Sequence, residues 1–167
     1  MKTVRDVSVV LSVVVVAMFW SQPVSASAWS LPSGTADNFS YANGGDLHGR
    51  FGEPLVSGDA FYFAATNFHV NAVMGGYDSQ GDTISVDVTA NSGLAFSAMT
   101  VTASGSYAVT GAGSRAELDA TLAMQEIGGS GRIWVGPLVT TPLFPIDSGS
   151  GTWSGQGLVD ISIEFPT

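Results

Sequence analysis

The sequence predicts an all-β domain, an antiparallel two-sheet β-sandwich with jelly-roll and immunoglobulin-like topologies both open. Three observations carry that expectation. Apolar and polar residues alternate at period 2 in three separate runs of seven or eight residues, the pattern of strands with one buried and one wet face. Pairs and triplets rich in Gly, Asn and Asp separate the runs at intervals that suit a sandwich. Beyond residue 28 no segment sustains the 3.6-residue period of an amphipathic helix.

In chain order, the first signal is for export. Lys2 and Arg5 precede an apolar run over residues 7–20, Pro23 breaks it, and Ala26-Ser27-Ala28 supplies small residues one and three positions before a cut at Trp29. That order reads as a signal peptide over residues 1–28. The apolar run is shorter than the roughly 20 residues a permanent membrane helix needs, so the mature form is not expected to be transmembrane. Residues 29–50, with Pro32, Gly34, Asn43, Gly44 and Gly45, read as an irregular lead-in. Residues 51–167 read as one sandwich domain.

Within that domain, Phe61-Tyr62-Phe63 is aromatic enough for a strand. Residues 83–89 place Ile84, Val86 and Val88 on one face, with Ser85 and Asp87 on the other. Residues 94–102 change parity between Phe96 and Met99, which predicts a bulge near Ala98. A turn at Ser104-Gly105 then separates them from a strand over 107–110. Residues 117–124 send Leu118, Ala120, Leu122 and Met124 inward. Their helix formers make 114–126 the one helical competitor, and the alternation favours strand. Residues 133–139 and 159–165 complete the set, the last with Val159, Ile161, Ile163 and Phe165 on one face. Turns are expected at Gly75-Gly76, Gln80-Gly81-Asp82, Asn91-Ser92-Gly93, Gly111-Ala112-Gly113 and residues 128–131.

Composition excludes several functions. The chain has 167 residues, 45% of them hydrophobic, with a net charge of −9, too apolar for a disordered segment and without the basic patch a nucleic-acid binder needs. Only Arg50, Arg115 and Arg132 are basic after residue 28. With no cysteine there is no disulfide framework, thiolate zinc site, cysteine nucleophile or lipid-bearing cysteine. No G-x-S-x-G elbow, P-loop or dinucleotide fingerprint is present. His48 and His69 lack the spacing of a two-histidine metal site, even with Asp46 or Glu53 as a third ligand. Glu117 and Asp119 read as a solvated strand face rather than a glycosidase pair. No catalytic residue is assigned, and the protein is not expected to be an enzyme.

Two features invite a ligand. Asp78 and Asp82, either side of Gly81, could bring carboxylates to calcium, although Asp and Gly are also what a hairpin turn requires. Trp134 and Trp153 could form a sugar-stacking platform if they face outward, whereas core packing is the commoner fate of such residues. No other cofactor is implied.

Residues 52–63, Gly-Glu-Pro-Leu-Val-Ser-Gly-Asp-Ala-Phe-Tyr-Phe, the later Gly76-Tyr77-Asp78 with Asp82-Thr83-Ile84, and Ser104-Gly105-Ser106-Tyr107 resemble secreted proteins of the PEP-CTERM type. The resemblance spans roughly residues 37–165 and is one of strand-and-turn texture. It implies an exosortase-associated bacterial surface protein linked to extracellular polysaccharide. Phe165-Pro166-Thr167 carries no Pro-Glu-Pro signal, so sorting by that route is not expected from these residues. The function expected is therefore a secreted, non-catalytic surface or matrix protein, whose partners are extracellular polysaccharide or other surface proteins. The alternative is a carbohydrate-binding module that uses exposed Trp and Tyr, with calcium as an optional staple.

Overall fold

The computed structural model describes residues 6–13, 27–65, 69–72, 78–127 and 131–164. The protein is all-β, with several antiparallel sheets and a single turn of helix. In chain order the strands are β1 (Asp6–Val13), β2 (Ser27–Ala28), β3 (Gly34–Thr35), β4 (Phe39–Asp46), β5 (Leu55–Ser57) and β6 (Ala60–Tyr62). Then come β7 (Asp82–Ala90), β8 (Ala98–Val109), β9 (Thr121–Ile127), β10 (Ile133–Pro137), β11 (Val139–Thr141), β12 (Gly149–Asp160) and the helix α1 (Ile161–Glu164). A seven-stranded sheet runs β10-β9-β1-β7-β4-β2, with β3 also paired to β4. A three-stranded sheet runs β11-β12-β8, and β5 and β6 form a hairpin.

Period 2 decides what is buried. In β7, Ile84, Val86, Val88 and Ala90 face inward, and in β9 Leu122 and Met124 do the same. From the three-stranded sheet, Val159 is fully buried and Met99, Val101 and Ala103 pack against the same cluster. The core cluster therefore draws on inward residues of both larger sheets.

Residues 6–13, which the sequence assigns to the export signal, form β1 between two long neighbours. Val7, Val9 and Leu11 take the register positions of Val88, Val86 and Ile84 on one side, and Val7 and Val9 those of Glu126 and Met124 on the other. The segment read as an irregular lead-in contains β3 and β4, and it contributes Trp29 and Phe39 to the core. What looks irregular there is a register shift between Ala42 and Gly45, where Asn43 takes a left-handed φ of 55°.

Three sequence expectations are corrected. Ser104-Gly105 is no turn: it lies in the middle of β8, paired with Ser154 and Trp153 of β12. A Cβ on Gly105 would lie 2.7 Å from the Trp153 Nε1, so this glycine makes room for an indole on the neighbouring strand rather than bending its own. The strand expected over 94–102 begins only at Ala98, because the Asn91 carbonyl accepts the Leu94 N–H at 2.9 Å and closes a turn just before it. The parity change therefore marks the strand's start and not a bulge within it. Finally, the strand expected over 159–165 stops at Asp160. Its carboxylate accepts the backbone N–H groups of Ser162 and Ile163 and the Ser162 hydroxyl, which caps α1. Ile161 stays buried while Ile163 is 69% exposed. Residue 165 lies outside the described residues.

The expected 117–124 strand is shifted instead of lost. Leu118 and Ala120 keep their inward parity, but ladder pairing starts at Thr121. Ala116 makes an isolated bridge to Ile146, and the Ala120 carbonyl accepts the Leu138 N–H.

Candidate functional site

Residues of both larger sheets and of the β5–β6 hairpin border a cavity of about 2410 Å³, Trp29, Phe39, Phe61, Phe96, Trp134 and Trp153 among them. Its wall is made of aromatic contacts. Trp29 tilts against Phe61 and Phe63 at centroid distances of 5.8 and 5.6 Å. Tyr41 meets Phe61 edge-on at 5.1 Å, and Phe39 joins Phe61 to Phe96 at 5.5 and 6.2 Å. On the other side Phe144 stands edge-on between Tyr107 and Trp153. These geometries are the offset and edge-to-face arrangements that ring quadrupoles favour. The Trp29 Nε1 is buried and has no hydrogen-bond partner among the described residues, although an indole N–H taken from water usually finds one.

Below this wall two buried carboxylates organise the chain between β4 and β5. Asp82, at the start of β7, is 2% exposed. It accepts the backbone N–H groups of His48, Arg50 and Thr83, each at 2.8 Å, and lies 3.3 Å from the His48 Nδ1. Asp46, at the end of β4, accepts the Phe51 and Gly52 N–H groups at 2.9 and 3.1 Å. A buried carboxylate is tolerable when several donors face it, and residues 47–52 are wound so that their N–H groups do so. Glu53, which follows, accepts the Ser30 and Leu31 N–H groups. The Ser30 N–H holds its carboxyl below the usual glutamate value, with a smaller contribution from Leu31.

Of the sequence-predicted calcium residues, Asp82 is thus part of this clamp. Asp78 is exposed and accepts the Asn71 N–H at 2.8 Å. Among the described residues no cluster of three or more His, Asp or Glu side chains forms a metal site. Gly75 and Gly76 of the same stretch lie outside the described residues. Trp134 is half-buried against the core, its ring lying over Gly136 of its own strand. Trp153 is half-buried at the cavity border, over Gly105. His69 donates its backbone N–H to Gln80.

Two carboxylates on the cavity border are also engaged: Asp59 accepts from Asn38, and Glu117 pairs with the Arg115 Nε at 2.9 Å. The sequence reading missed Trp29, Phe39 and Phe61 as wall residues. The usable signal was the density of aromatics over residues 29–63, which the glycines and Pro32 around them obscured. No protein-family model, curated protein or solved structure matches the chain.

Proposed function

We propose that the chain is an exported, non-catalytic β-sandwich of the bacterial cell surface or extracellular matrix, with a structural or interaction role. In the full chain the seven-stranded and three-stranded sheets form the two layers of that sandwich, the cut before Trp29 takes β1 and β2 out of the larger one, and extracellular polysaccharide or other surface proteins are its partners. The supporting observation is how the carboxylates are used. Asp46, Asp59, Asp82 and Asp160 each accept from the backbone and so order a loop or cap, a structural use of these carboxylates. Export rests on the basic, apolar and small-residue order of residues 1–28. N-terminal sequencing of the protein collected outside a bacterial host should return Trp29 as the first residue. Recovery of Met1 there would overturn the processing reading.

The second reading, a carbohydrate-binding module, is favoured by Trp134 and Trp153 on the cavity border and by the Trp29 N–H, which a sugar hydroxyl could accept. Affinity electrophoresis through gels containing bacterial exopolysaccharide tests it. Retardation that disappears in Trp153→Ala supports a binding cavity. Equal mobility with and without polysaccharide leaves the structural role standing alone.

A further inference from the structure

The sheets of this protein end in edges of very different length. β2 has two residues, β11 three and β10 five, the last closing on Pro137. Short strands and proline are the usual means of making an edge unattractive to a stray strand. β8 has neither. It runs for twelve residues, Ala98–Val109, without a charge or a proline, and among the described residues its backbone ladder is to β12 alone.

Two further observations bear on this edge. The inward residues Met99, Val101, Ala103 and Tyr107 remain half-exposed, whereas their partners' side of the sheet is covered at Gly155, Gly157 and Val159. An additional strand beside β8 would cover that apolar row. The three-stranded sheet is also nearly free of charge, Asp160 being its one charged residue, in a chain of net charge −9. It is the face on which two copies of this acidic protein approach each other with least repulsion.

We propose that β8 pairs antiparallel with the β8 of a second copy, joining the two three-stranded sheets into one continuous sheet across a two-fold axis at Ala103. The pattern of the strand selects the register. A neighbour keeps inward residues beside inward ones only if odd numbers face odd. With Ala103 on the axis, the outward residues pair as Ala98 with Ala108, Thr100 with Ser106 and Thr102 with Ser104, so every hydroxyl meets a hydroxyl. Inward, Met99 lies beside Tyr107, a favourable sulfur–aromatic contact, and Val101 lies beside Gly105. The pairing is isologous and closes at two copies. It is stated for the full chain, in which β1 fills the place between β7 and β9, and it does not depend on the carbohydrate reading.

The test uses the full 167-residue chain. Light scattering should find a dimer that dissociates on dilution. Ser104→Lys, at an exposed position, should give a monomer with an unchanged circular-dichroism spectrum. Adding Thr102→Glu to that variant places each lysine opposite a glutamate of the other copy and should restore the dimer. Because the chain has no cysteine, crosslinking reads the register directly. Under mild oxidation, a mixture of Thr102→Cys and Ser104→Cys chains should form the mixed disulfide in preference to either like pair, since directly opposed positions have the required spacing. A mixture of Thr100→Cys and Ser104→Cys chains should not. A wild-type monomer at all concentrations, a dimer indifferent to Ser104→Lys, or crosslinking that ignores register would each overturn the proposal. If Ser104→Lys unfolds, the crosslinking arms decide.

Discussion

The strands β7 and β9 of the larger sheet and the three-stranded sheet pack by different means. β7 and β9 fill the core with Ile84, Val86, Val88, Leu122 and Met124, all nearly inaccessible. The three-stranded sheet answers with glycines and small residues under large rings: Gly105 beneath Trp153, Gly151 beneath Tyr107, and Gly155 and Gly157 against Thr140 and Leu138. The strands β7 and β9 are held by aliphatic volume, the three-stranded sheet by fitted pairs in which an absent side chain makes room for a present one, a device that β4 and β10 share where Gly44 lies under Trp29 and Gly136 under Trp134. The first kind of core is sensitive to what is removed, the second to what is added.

The largest expected effect sharpens that contrast on the aliphatic side. Leu122 is fully buried, so Leu122→Ala should cost about 2–5 kcal/mol in denaturant unfolding. On the other sheet the damage comes from enlargement. Gly105→Ala forces a Cβ to within 2.7 Å of Trp153 and should cost about 1–3 kcal/mol. In a Trp153→Ala background the same change should become neutral or stabilising by about 0.5–1 kcal/mol, since alanine suits a strand better than glycine once the ring is gone. A cost that persists without the ring would break the comparison.

Smaller effects distinguish the two regions by pH. Glu53, beside the seven-stranded sheet, and Asp160, at the end of the three-stranded one, both titrate below their ordinary values. The Ser30 N–H is the main cause for Glu53, and the Ser162 hydroxyl for Asp160. A lowered folded value means that the unfolded chain binds protons first. Their contributions are therefore present above about 4.5 and 3.8 respectively, and are lost as the pH falls through the lower folded values. Glu53→Gln and Asp160→Asn should each flatten part of the acid limb of a stability–pH curve, and both side chains are exposed enough that the changes should be modest. The smallest expected effect is none. Asp82 already receives three N–H groups, so millimolar calcium should leave the melting temperature unchanged. A gain approaching the ~2.7 kcal/mol of a site saturated at 100 times Kd, abolished by Asp82→Asn, would replace the clamp with a calcium site.

Of the seven-stranded sheet, β7 and β9 were legible in the sequence, because burial there follows from parity alone: the inward residues of 83–89 and 117–124 are the ones found inside, whereas β1 to β4 lie in stretches that read as an export signal and an irregular lead-in. The glycine-and-ring sheet was less so. Gly105 carries the local signature of a turn, and the reason for it sits on another strand 48 positions away in the sequence as its register partner, Trp153. Asp160 continues an alternating pattern faultlessly, yet its side chain caps the next residues, a competition between ladder and cap that period 2 cannot display. Asp82 reads in the sequence as half of a cation site, and the donors the structure gives it are main-chain N–H groups of His48, Arg50 and Thr83, which every residue has and no sequence distinguishes.

The position of β1 makes time a variable in the life of this protein. A leader must be extended and unattached to thread a membrane channel, whereas residues 6–13 lie hydrogen-bonded between β7 and β9. Both neighbours are synthesised long after residues 6–13 have emerged, so this segment is free early and captured late. On the export reading, translocation and folding are then in a race whose outcome synthesis sets. A chain engaged by the export machinery before residue 90 is made retains a free leader, while one that lingers until β9 is complete sequesters its own address. Slowing export should therefore accumulate a folded precursor from which no mature protein can later be chased.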